Sequence, residues 1–234
     1  MIDPFSGISD IQEGIIKTVG KPEERFGEDA LRMLRAVRFS AQLGFIVHES
    51  VLEAIREKCS LIVNVSSERV REELTKLLVS DYPMRSILLR DTNLLQYILP
   101  EFEVCFHTVQ QNPYHIYNVA VHSLKVVEAV PKEKVLRWAA LLHDIGKPFV
   151  KTTDEKGIDH FYDHQTKGAV LAEVILKRLR FDNSSIIKIS KLIRYHEEFQ
   201  PWMSFLDLLF NCGDESLEYL NRGNLTRDDI FKEV

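Results

Sequence analysis

The sequence predicts an all-α protein, and two kinds of pattern support this fold class. Apolar residues recur at three- and four-residue spacing, as at Leu31, Leu34 and Ala41, which is typical of helices that bury one face. Glycine and proline stand where such stretches stop, as Gly44 and Pro100 do. Strand patterns are short, so we expect at most a short strand and a hairpin beside the helices.

The composition is that of an ordinary soluble protein of one or two domains. The 234 residues are 45% hydrophobic and 28% charged, with a formal net charge of -5. This acidic balance argues against a broad nucleic-acid coat, although it leaves room for a local basic face. The first residues do not resemble a signal peptide, and no apolar run approaches membrane-spanning length. We therefore expect a cytoplasmic protein with no membrane partner.

The three cysteines, Cys59, Cys105 and Cys212, are widely separated and lack CxxC spacing. Their odd number leaves at least one thiol outside any internal pair. We expect buried free thiols rather than disulfides or a zinc site.

In chain order, the first predicted elements are a turn-rich segment at residues 3–14 and a short strand at 15–19. A long helix then runs to Gly44, and helical periodicity returns at 51–56, 74–79 and 84–98, where Pro100 ends the last stretch. A polar break follows at residues 110–113. We place a domain boundary there, which gives two domains, residues 1–109 and 110–234.

The start of the long helix carries charges in a regular pattern. Glu28 and Asp29 stand where acids complement a helix N-terminus, and Arg32, Arg35 and Arg38 then recur at every third position. One interpretation is a solvated face, with an i,i+3 ion pair between Asp29 and Arg32 that contributes a few tenths of a kcal/mol. The other is nucleotide recognition, because a carboxylate beside a guanidinium can accept from and donate to the edge of a base.

The segments DPFSGISDIQEGIIKTVG and RFGEDALRMLRAVRFSAQLGF resemble the neck of tRNA nucleotidyltransferases, the CCA-adding enzymes and their poly(A) polymerase relatives. The resemblance implies that Glu28, Asp29 and Arg32 form a template that pairs with incoming CTP or ATP, with Asp29 and Arg32 as the pairing residues. We group Arg35 with them as a nucleotide-binding candidate. The resemblance also implies tRNA or another RNA as a partner.

The segment SSERVREELTKLL at residues 66–78 is similar to the next neck motif of the same family. There an arginine and a glutamate brace the template helix, and the matching residues are Arg69 and Glu73. The alternative is a plain surface i,i+4 ion pair between these two residues.

The sequence departs from the family in one respect. In that family, the polymerising head carries a phosphate-binding turn and an Asp-x-Asp pair that holds magnesium. The present sequence contains no Asp-x-Asp. Because nucleotidyl transfer needs such groups, the template helix alone is not expected to polymerise. We expect either a C-terminal fragment, a split or degenerate copy, or a head supplied by a separate chain.

The second half is organised around LLHDIGKP at residues 141–148. An apolar helix delivers His143 and Asp144 to its end, where Gly146 and Pro148 are expected to stop it. An imidazole next to a carboxylate suits a divalent first-row metal. Three further histidines lie on or at the ends of predicted helices: His122, His164 and His196.

This order of histidines resembles the HD superfamily of metal-dependent phosphohydrolases. The resemblance implies His122, His143 and Asp144 as metal ligands, with His164 and His196 at positions where some members bind a second metal. The metal would be Mg, Mn, Ni, Co or Zn. The alternative is an inherited framework without catalysis. The family's last aspartate ligand is either missing or replaced by Asp228.

The segment 153–163 is rich in aspartate and is expected to form an exposed loop or hairpin at the mouth of this site, with His160 as a loop residue rather than a ligand. The resulting fold is a helical neck and body bundle followed by an HD-type helical domain that is truncated at its end.

Three functions remain open from the sequence. The first is a tRNA nucleotidyltransferase-related protein that keeps the nucleotide template, the RNA-binding surface and the HD region. The second is a free-standing HD phosphatase or cyclic phosphodiesterase, for which the neck only packs. The third is a non-catalytic helical module that binds RNA or a protein partner.

Overall fold

The computed structural model describes residues 3–109 and 117–194, and over these residues the fold is all-α, as predicted. The only strands among these residues are four strands of two residues each, which form two pairs. The first half contains eight α-helices: α1 Gly7–Glu13, α2 Pro22–Glu28, α3 Leu31–Leu43, α4 Glu49–Lys58, α5 Ser67–Leu78, α6 Ile87–Asp91, α7 Leu95–Ile98 and α8 Pro100–Phe106. Two 3₁₀ helices, Cys59–Asn64 and Pro83–Ser86, connect α4 to α5 and α5 to α6.

The described part of the second half contains five further helices: α9 Val119–Ala129, α10 Lys134–Leu142, α11 Lys147–Val150, α12 His164–Arg178 and α13 Asn183–Arg194. Strands β1 (Ile15–Ile16) and β2 (Ile46–Val47) pair in parallel beside α3, with Ile15 opposite Ile46. Strands β3 (Thr152–Thr153) and β4 (Asp159–His160) form an antiparallel hairpin, which confirms the hairpin expected there.

The long helix predicted near Glu28 is preceded by a separate helix that the sequence pattern did not indicate. Helix α2 ends at Glu28, and Asp29 then adopts an extended conformation with φ −149°. The backbone N–H of Leu31 donates to Asp29 Oδ1 at 3.1 Å, which satisfies one of the open donors at the start of α3. Helix α3 buries Leu34 and Ala41 as predicted, and Gly44 ends it at φ 72°.

One hydrophobic core runs through both halves of the described chain. Trp138 of α10 is fully buried, its indole N–H donates to Thr75 Oγ1 of α5 at 3.0 Å, and its ring packs edge-on against Phe181. The guanidinium of Arg178 on α12 makes a bidentate pair with Glu101 on α8, at 2.6 and 2.7 Å. The two halves therefore share buried contacts. The domain boundary expected at residues 110–113 lies outside the described residues.

Gly146 does not stop α10 in the way that the sequence suggested. Its φ is −79°, and the short helix α11 begins directly after it, with Pro148 in its first turn. A Cβ on Gly146 would lie 2.1 Å from the carbonyl oxygen of His164 and 2.7 Å from the backbone N of Gly168. The glycine is therefore needed for close approach of α12 to the His-Asp segment, rather than for chain reversal.

The cysteines agree with the expectation from composition within the described residues. Cys59 and Cys105 are buried free thiols, while Cys212 lies outside the described part of the chain. Among the helices that the structure describes, none combines the length and the apolar character that crossing a membrane requires.

Candidate nucleotide and metal sites

The first candidate site lies where α2 meets α3, and its carboxylate is held by α5. Arg69 Nη2 donates to Asp29 Oδ2 at 2.8 Å, across forty residues of sequence. This hydrogen bond lowers the pKa of Asp29 against the opposing effect of its burial, and the Leu31 backbone N–H lowers it further. Asp29 is therefore an ionised acceptor at neutral pH, with one oxygen fixed by Arg69 and the other by the start of α3.

Arg32 pairs with Glu28 rather than with Asp29, so the i,i+3 ion pair considered from the sequence is not the one that forms. Arg32 Nη1 lies 2.7 Å from Glu28 Oε2, and Arg25 Nη1 donates to the same oxygen at 2.6 Å. The hydrogen bond from Arg32, followed by the charge of Arg25, lowers the pKa of Glu28. Glu28 thus holds the Arg32 guanidinium, whose charge also lowers the pKa of Asp29.

A cleft of about 280 Å³ opens beside this network, near the lower end of small-molecule sites. Its charged lining residues are all cationic; Glu28 pairs with two of them, Arg25 and Arg32, and Asp10 pairs with Lys17. Arg35 is exposed, and its guanidinium lies 5.8 Å from the centroid of the Phe39 ring. The lining includes Lys17, Arg25, Arg32, Arg35, Phe26 and Phe39.

Glu73 and Arg69 both reach the α3 region from α5, but they do not pair with one another. Glu73 Oε2 lies 2.6 Å from Arg38 Nε, and the two side chains are only 9% and 12% exposed. The Arg38 guanidinium also covers the Phe39 ring at 4.0 Å. This geometry suits the bracing arrangement and replaces the surface i,i+4 pair considered from the sequence. That the brace serves nucleotide selection stays a prediction.

The second candidate site is centred on Asp144, just beyond the end of α10. His143 and Asp144 are 2% and 1% exposed, and His143 Nε2 lies 3.3 Å from Asp144 Oδ2. His143 Nδ1 is 2.8 Å from the carbonyl oxygen of Ala140 and so carries the proton that this bond needs. The backbone of α10 thus orients the ring and leaves Nε2 as the available ligand atom.

Two histidines from other helices complete the cluster around the same carboxylate. His122 of α9 is 1% exposed, and its Nε2 lies 3.8 Å from Asp144 Oδ2. His164, the first residue of α12, places Nε2 at 3.6 Å from Asp144 Oδ1, while its Nδ1 is 2.7 Å from the carbonyl oxygen of Phe161. The nearly complete burial of His122 is more consistent with a ligand than with a surface residue.

Lys147 is a member of this cluster that the sequence reasoning missed. Its Nζ lies 2.8 Å from Asp144 Oδ2, and only 8% of its side chain is exposed. Burial raises the pKa of Asp144, but its interactions with His143 and with the charge of Lys147 outweigh burial and hold that pKa well below its ordinary range. The available signal was the i,i+3 spacing of Asp144 and Lys147 within LLHDIGKP.

The donor set fits a divalent metal. One ligand atom from each of His122, His143 and Asp144 can be chosen so that all lie within 4.8 Å of one another. Two imidazole nitrogens and a carboxylate oxygen match the preferences of first-row transition metals, and the backbone bond to His143 Nδ1 supplies the orienting contact usual at such sites. His164 faces the other oxygen of the same carboxylate, where a second metal or the substrate could be held.

The remaining site expectations are only partly covered by the described residues. His196 and Asp228 lie outside them. His160 is half-buried in the hairpin, with its Nε2 3.2 Å from Asp154 Oδ2 and its ring stacked on Tyr162, so it forms local contacts instead of joining the cluster. Besides Lys147, the sequence reasoning did not assign Arg25 to the network around Glu28, nor Arg38 to the buried pair with Glu73.

Two protein families match this chain. The family described as "Probable RNA and SrmB- binding site of polymerase A" matches residues 44–106, and the HD domain family matches residues 114–231. The first match covers α4 to α8, which follow α3. The second begins before α9 and includes the whole His-Asp cluster.

Relatives with similar sequences are tRNA-processing proteins. The CCA-adding enzyme of Anoxybacillus flavithermus is 46% identical over 214 residues, which are 91% of this chain and 45% of that enzyme. The multifunctional CCA protein of Nitrosococcus oceani is 32% identical over 203 residues, 84% of this chain and 48% of that protein. The chain thus spans a little under half the length of these relatives.

A solved structure shows the same fold. The CCA-adding enzyme of Bacillus stearothermophilus, determined in complex with CTP, superposes with a TM-score of 0.56 at 23% identity, covering 96% of this chain and 50% of that one. Together these matches confirm the resemblance inferred from the neck and HD motifs. The chain fits the body and HD portion of CCA-adding enzymes.

Proposed function

Because the chain belongs to the HD domain family and resembles CCA-adding enzymes over most of its length, we propose that it serves tRNA nucleotidyl transfer through its first half and hydrolyses phosphate esters through its second. The first half selects the nucleotide and contacts RNA. We assign to it selection rather than transfer, because transfer needs two magnesium ions and a phosphate-binding turn supplied by a head, either in another segment or in a separate chain.

The observation that supports the first part is that Asp29 is held by Arg69 and Arg32 is held by Glu28, three residues apart at the start of α3, with Arg32 lining a cleft of cationic residues. Asp29 accepts hydrogen bonds, and Arg32 donates them, so together they can read a base edge that offers one donor and one acceptor. Cytosine and adenine each offer both kinds of group, which agrees with CTP and ATP as the nucleotides. Arg35 and Lys17 line the cleft where an anionic triphosphate would be attracted.

Calorimetric titration with CTP and with ATP tests nucleotide selection directly. We expect Asp29→Ala and Arg32→Ala each to weaken binding tenfold or more, since each removes one partner of the base edge. Glu24→Ala is the matched control, because it removes an exposed acid from the same segment without touching the pair. Wild-type affinity in both Asp29→Ala and Arg32→Ala would contradict the assignment.

The second part of the proposal is a metal-dependent phosphohydrolase, supported by the burial of His122, His143 and Asp144 around one point. When bound there, a divalent metal supplies a water of lowered pKa and charge stabilisation for a phosphate. His143 and His164 hold their protons on Nδ1 through backbone carbonyls and so present Nε2 to the site. Lys147 adds a positive charge beside Asp144 that would attract an anionic ester.

Hydrolysis is tested by phosphate release from a panel of esters that begins with 2′,3′-cyclic nucleotides, with Mg, Mn, Ni, Co or Zn added in turn. We expect a metal-dependent rate that disappears in His143→Ala and persists in Asp29→Ala. If the wild-type protein turns over no ester while it still binds tRNA with a salt-dependent affinity, the chain is a binding module and the hydrolase assignment is wrong.

A further inference from the structure

A second cationic cleft lies where α5 meets the HD half, away from both sites described above. Its volume is about 490 Å³. Arg71 and Lys76 line it from α5, Lys134 from the start of α10, and Arg180 from the turn between α12 and α13. Two acids, Glu72 and Asp182, also line the cleft, so its local charge is net positive in a chain whose net charge is -5.

Arg180 occupies a backbone position that normally favours glycine. Its φ is 58°, in the left-handed region. The N–H of Phe181 donates to the carbonyl of Leu176 and the N–H of Arg180 to that of Lys177, which is the Schellman pattern at a helix C-terminus. Glycine is preferred there because a Cβ is strained in this conformation. An exposed arginine at this position therefore costs stability, and such strain is characteristic of functional positions.

Two of the other cations are positioned by a buried aromatic ring at the base of the cleft. Phe181 is 6% exposed, and the Lys134 ammonium lies 4.8 Å and the Arg71 guanidinium 5.7 Å from its centroid. Arg71 also donates to the carbonyl of Arg180. Lys134 lies 3.5 Å from Asp182, an acid that also caps α13 through Ser185. The cations are therefore held in place across the junction of the two halves.

We infer that this cleft binds the phosphodiester backbone of RNA, through Arg180 and Lys76 at its rim and Arg71 and Lys134 deeper inside. A bound strand would bridge the body and the HD half. The buried ring offers no exposed face for a base to stack on, which favours recognition of backbone phosphates over recognition of bases. The inference rests on the proposed RNA-binding function and assigns part of that surface to residues of the HD half.

The test measures binding of a fluorescein-labelled tRNA transcript without its 3′-terminal CCA, by anisotropy at several salt concentrations. We expect Arg180→Gly and Lys76→Ala each to weaken binding about threefold to tenfold. Each should also reduce the slope of log K against log salt by about 0.7 to 0.9, the value for one lost phosphate contact. Lys188→Ala is the control, because it removes another exposed cation, from α13 outside the cleft.

Arg180→Gly separates binding from folding. Since glycine relieves the strained backbone, this variant is expected to unfold at a temperature equal to or above that of the wild type while it binds tRNA more weakly. Lys76→Ala gives the same test without a change of backbone preference, and its melting temperature is measured as well, because Lys76 Nζ lies 3.9 Å from Glu73 Oε1.

The outcomes separate the inference from the proposed function. Wild-type protein that does not bind tRNA would overturn the RNA-binding function itself. If the wild type binds tRNA and Arg180→Gly and Lys76→Ala bind it as tightly as the control Lys188→Ala, only the assignment of this cleft is overturned. CMP is also titrated into the complex of the protein with labelled tRNA. Displacement of the tRNA by CMP at concentrations similar to those at which tRNA binds would also contradict a site for the RNA backbone.

Discussion

Each candidate site has a carboxylate beside basic side chains, but Asp144 is buried and Asp29 is partly exposed to solvent. The cluster of His122, His143 and Asp144 is buried, with exposures of 1 to 2%. By contrast, the Asp29 and Arg69 side chains of the nucleotide site are 29% and 51% exposed. In the buried cluster, low dielectric strengthens every interaction and makes an unmatched charge costly. In the exposed pair, water screens the charges, so the pair adds little to stability and its groups can exchange partners with a ligand.

This difference predicts where stability and function are coupled. Around Asp144, a substitution that removes function also disturbs the charge balance of the core. Around Asp29, a substitution can remove function and leave the fold intact. Glu73 lies between these extremes, because it braces the exposed site from a buried position.

The largest expected effect is that of Asp144→Ala in metal-free protein. The substitution leaves the buried Lys147 ammonium without its carboxylate, and breaking a buried ion pair in this way costs about 3–5 kcal/mol. Urea denaturation in the presence of a chelator measures the change, with Asp29→Ala as the exposed counterpart, for which we expect about 1 kcal/mol or less. Equal losses in the two variants would remove the contrast between the sites.

A smaller but substantial loss is expected for Glu73→Gln. The neutral amide leaves the nearly buried Arg38 guanidinium without its charged partner, at a cost of about 2–3 kcal/mol. Glu68→Gln, an exposed substitution on the same helix, is the control and should change stability little. A Glu73→Gln variant as stable as its control would show that the pair with Arg38 is not a structural brace.

The Glu101–Arg178 pair joins the two halves and should give a pH-dependent contribution. Burial raises the pKa of Glu101, but the hydrogen bonds from Arg178 outweigh it, so the folded pKa lies below the ordinary value. The stabilisation is therefore fully present above the unfolded pKa of about 4.3 and is lost as pH falls through the folded value. Because Arg178 is 40% exposed, we expect about 1 kcal/mol or less.

The measurement is the difference in melting temperature between wild type and Glu101→Gln, followed from neutral pH to about pH 3. The difference should shrink as the pH falls. A difference that stays constant over this range would contradict the sign of the pKa shift.

The smallest expected effect on stability is that of Arg69→Ala, at a few tenths of a kcal/mol, because its pair with Asp29 is solvated. CTP affinity should nevertheless fall, since Asp29 loses the contact that fixes its orientation. Arg69→Lys keeps the charge and should restore part of the affinity. A large loss of stability without a change in CTP affinity would mean that Arg69 only packs.

Much of the fold follows from local pattern, and the site residues follow from motifs. Helical spacing predicted the buried face of α3, and the neck and HD motifs predicted Asp29, Arg32, His143 and Asp144 as candidates. Local pattern does not report which distant charges meet. Arg69 and Glu73 are four residues apart, a spacing that also allowed a pair between them, yet Arg69 pairs with Asp29 at the junction of α2 and α3 and Glu73 with Arg38 of α3.

Steric fit is also invisible to periodicity. Gly146 looked like a helix stop, but its role depends on how closely the start of α12 approaches. The continuity of the core likewise arises from contacts, such as that of Trp138 with Thr75, between segments that the sequence had divided at residues 110–113. Lys147 was missed because its burial beside Asp144 depends on the packing of α11 against α12, which the motif alone does not show.

Metal content of purified wild type, His143→Ala and Asp29→Ala tests the central claim that a buried metal cluster exists and is independent of the exposed nucleotide site. We predict about one equivalent of divalent metal in the wild type and in Asp29→Ala, and none in His143→Ala. Equal metal in all three proteins would contradict the assignment of the ligands. No metal in the wild type, even after incubation with manganese, nickel or magnesium, would contradict the cluster as a metal site.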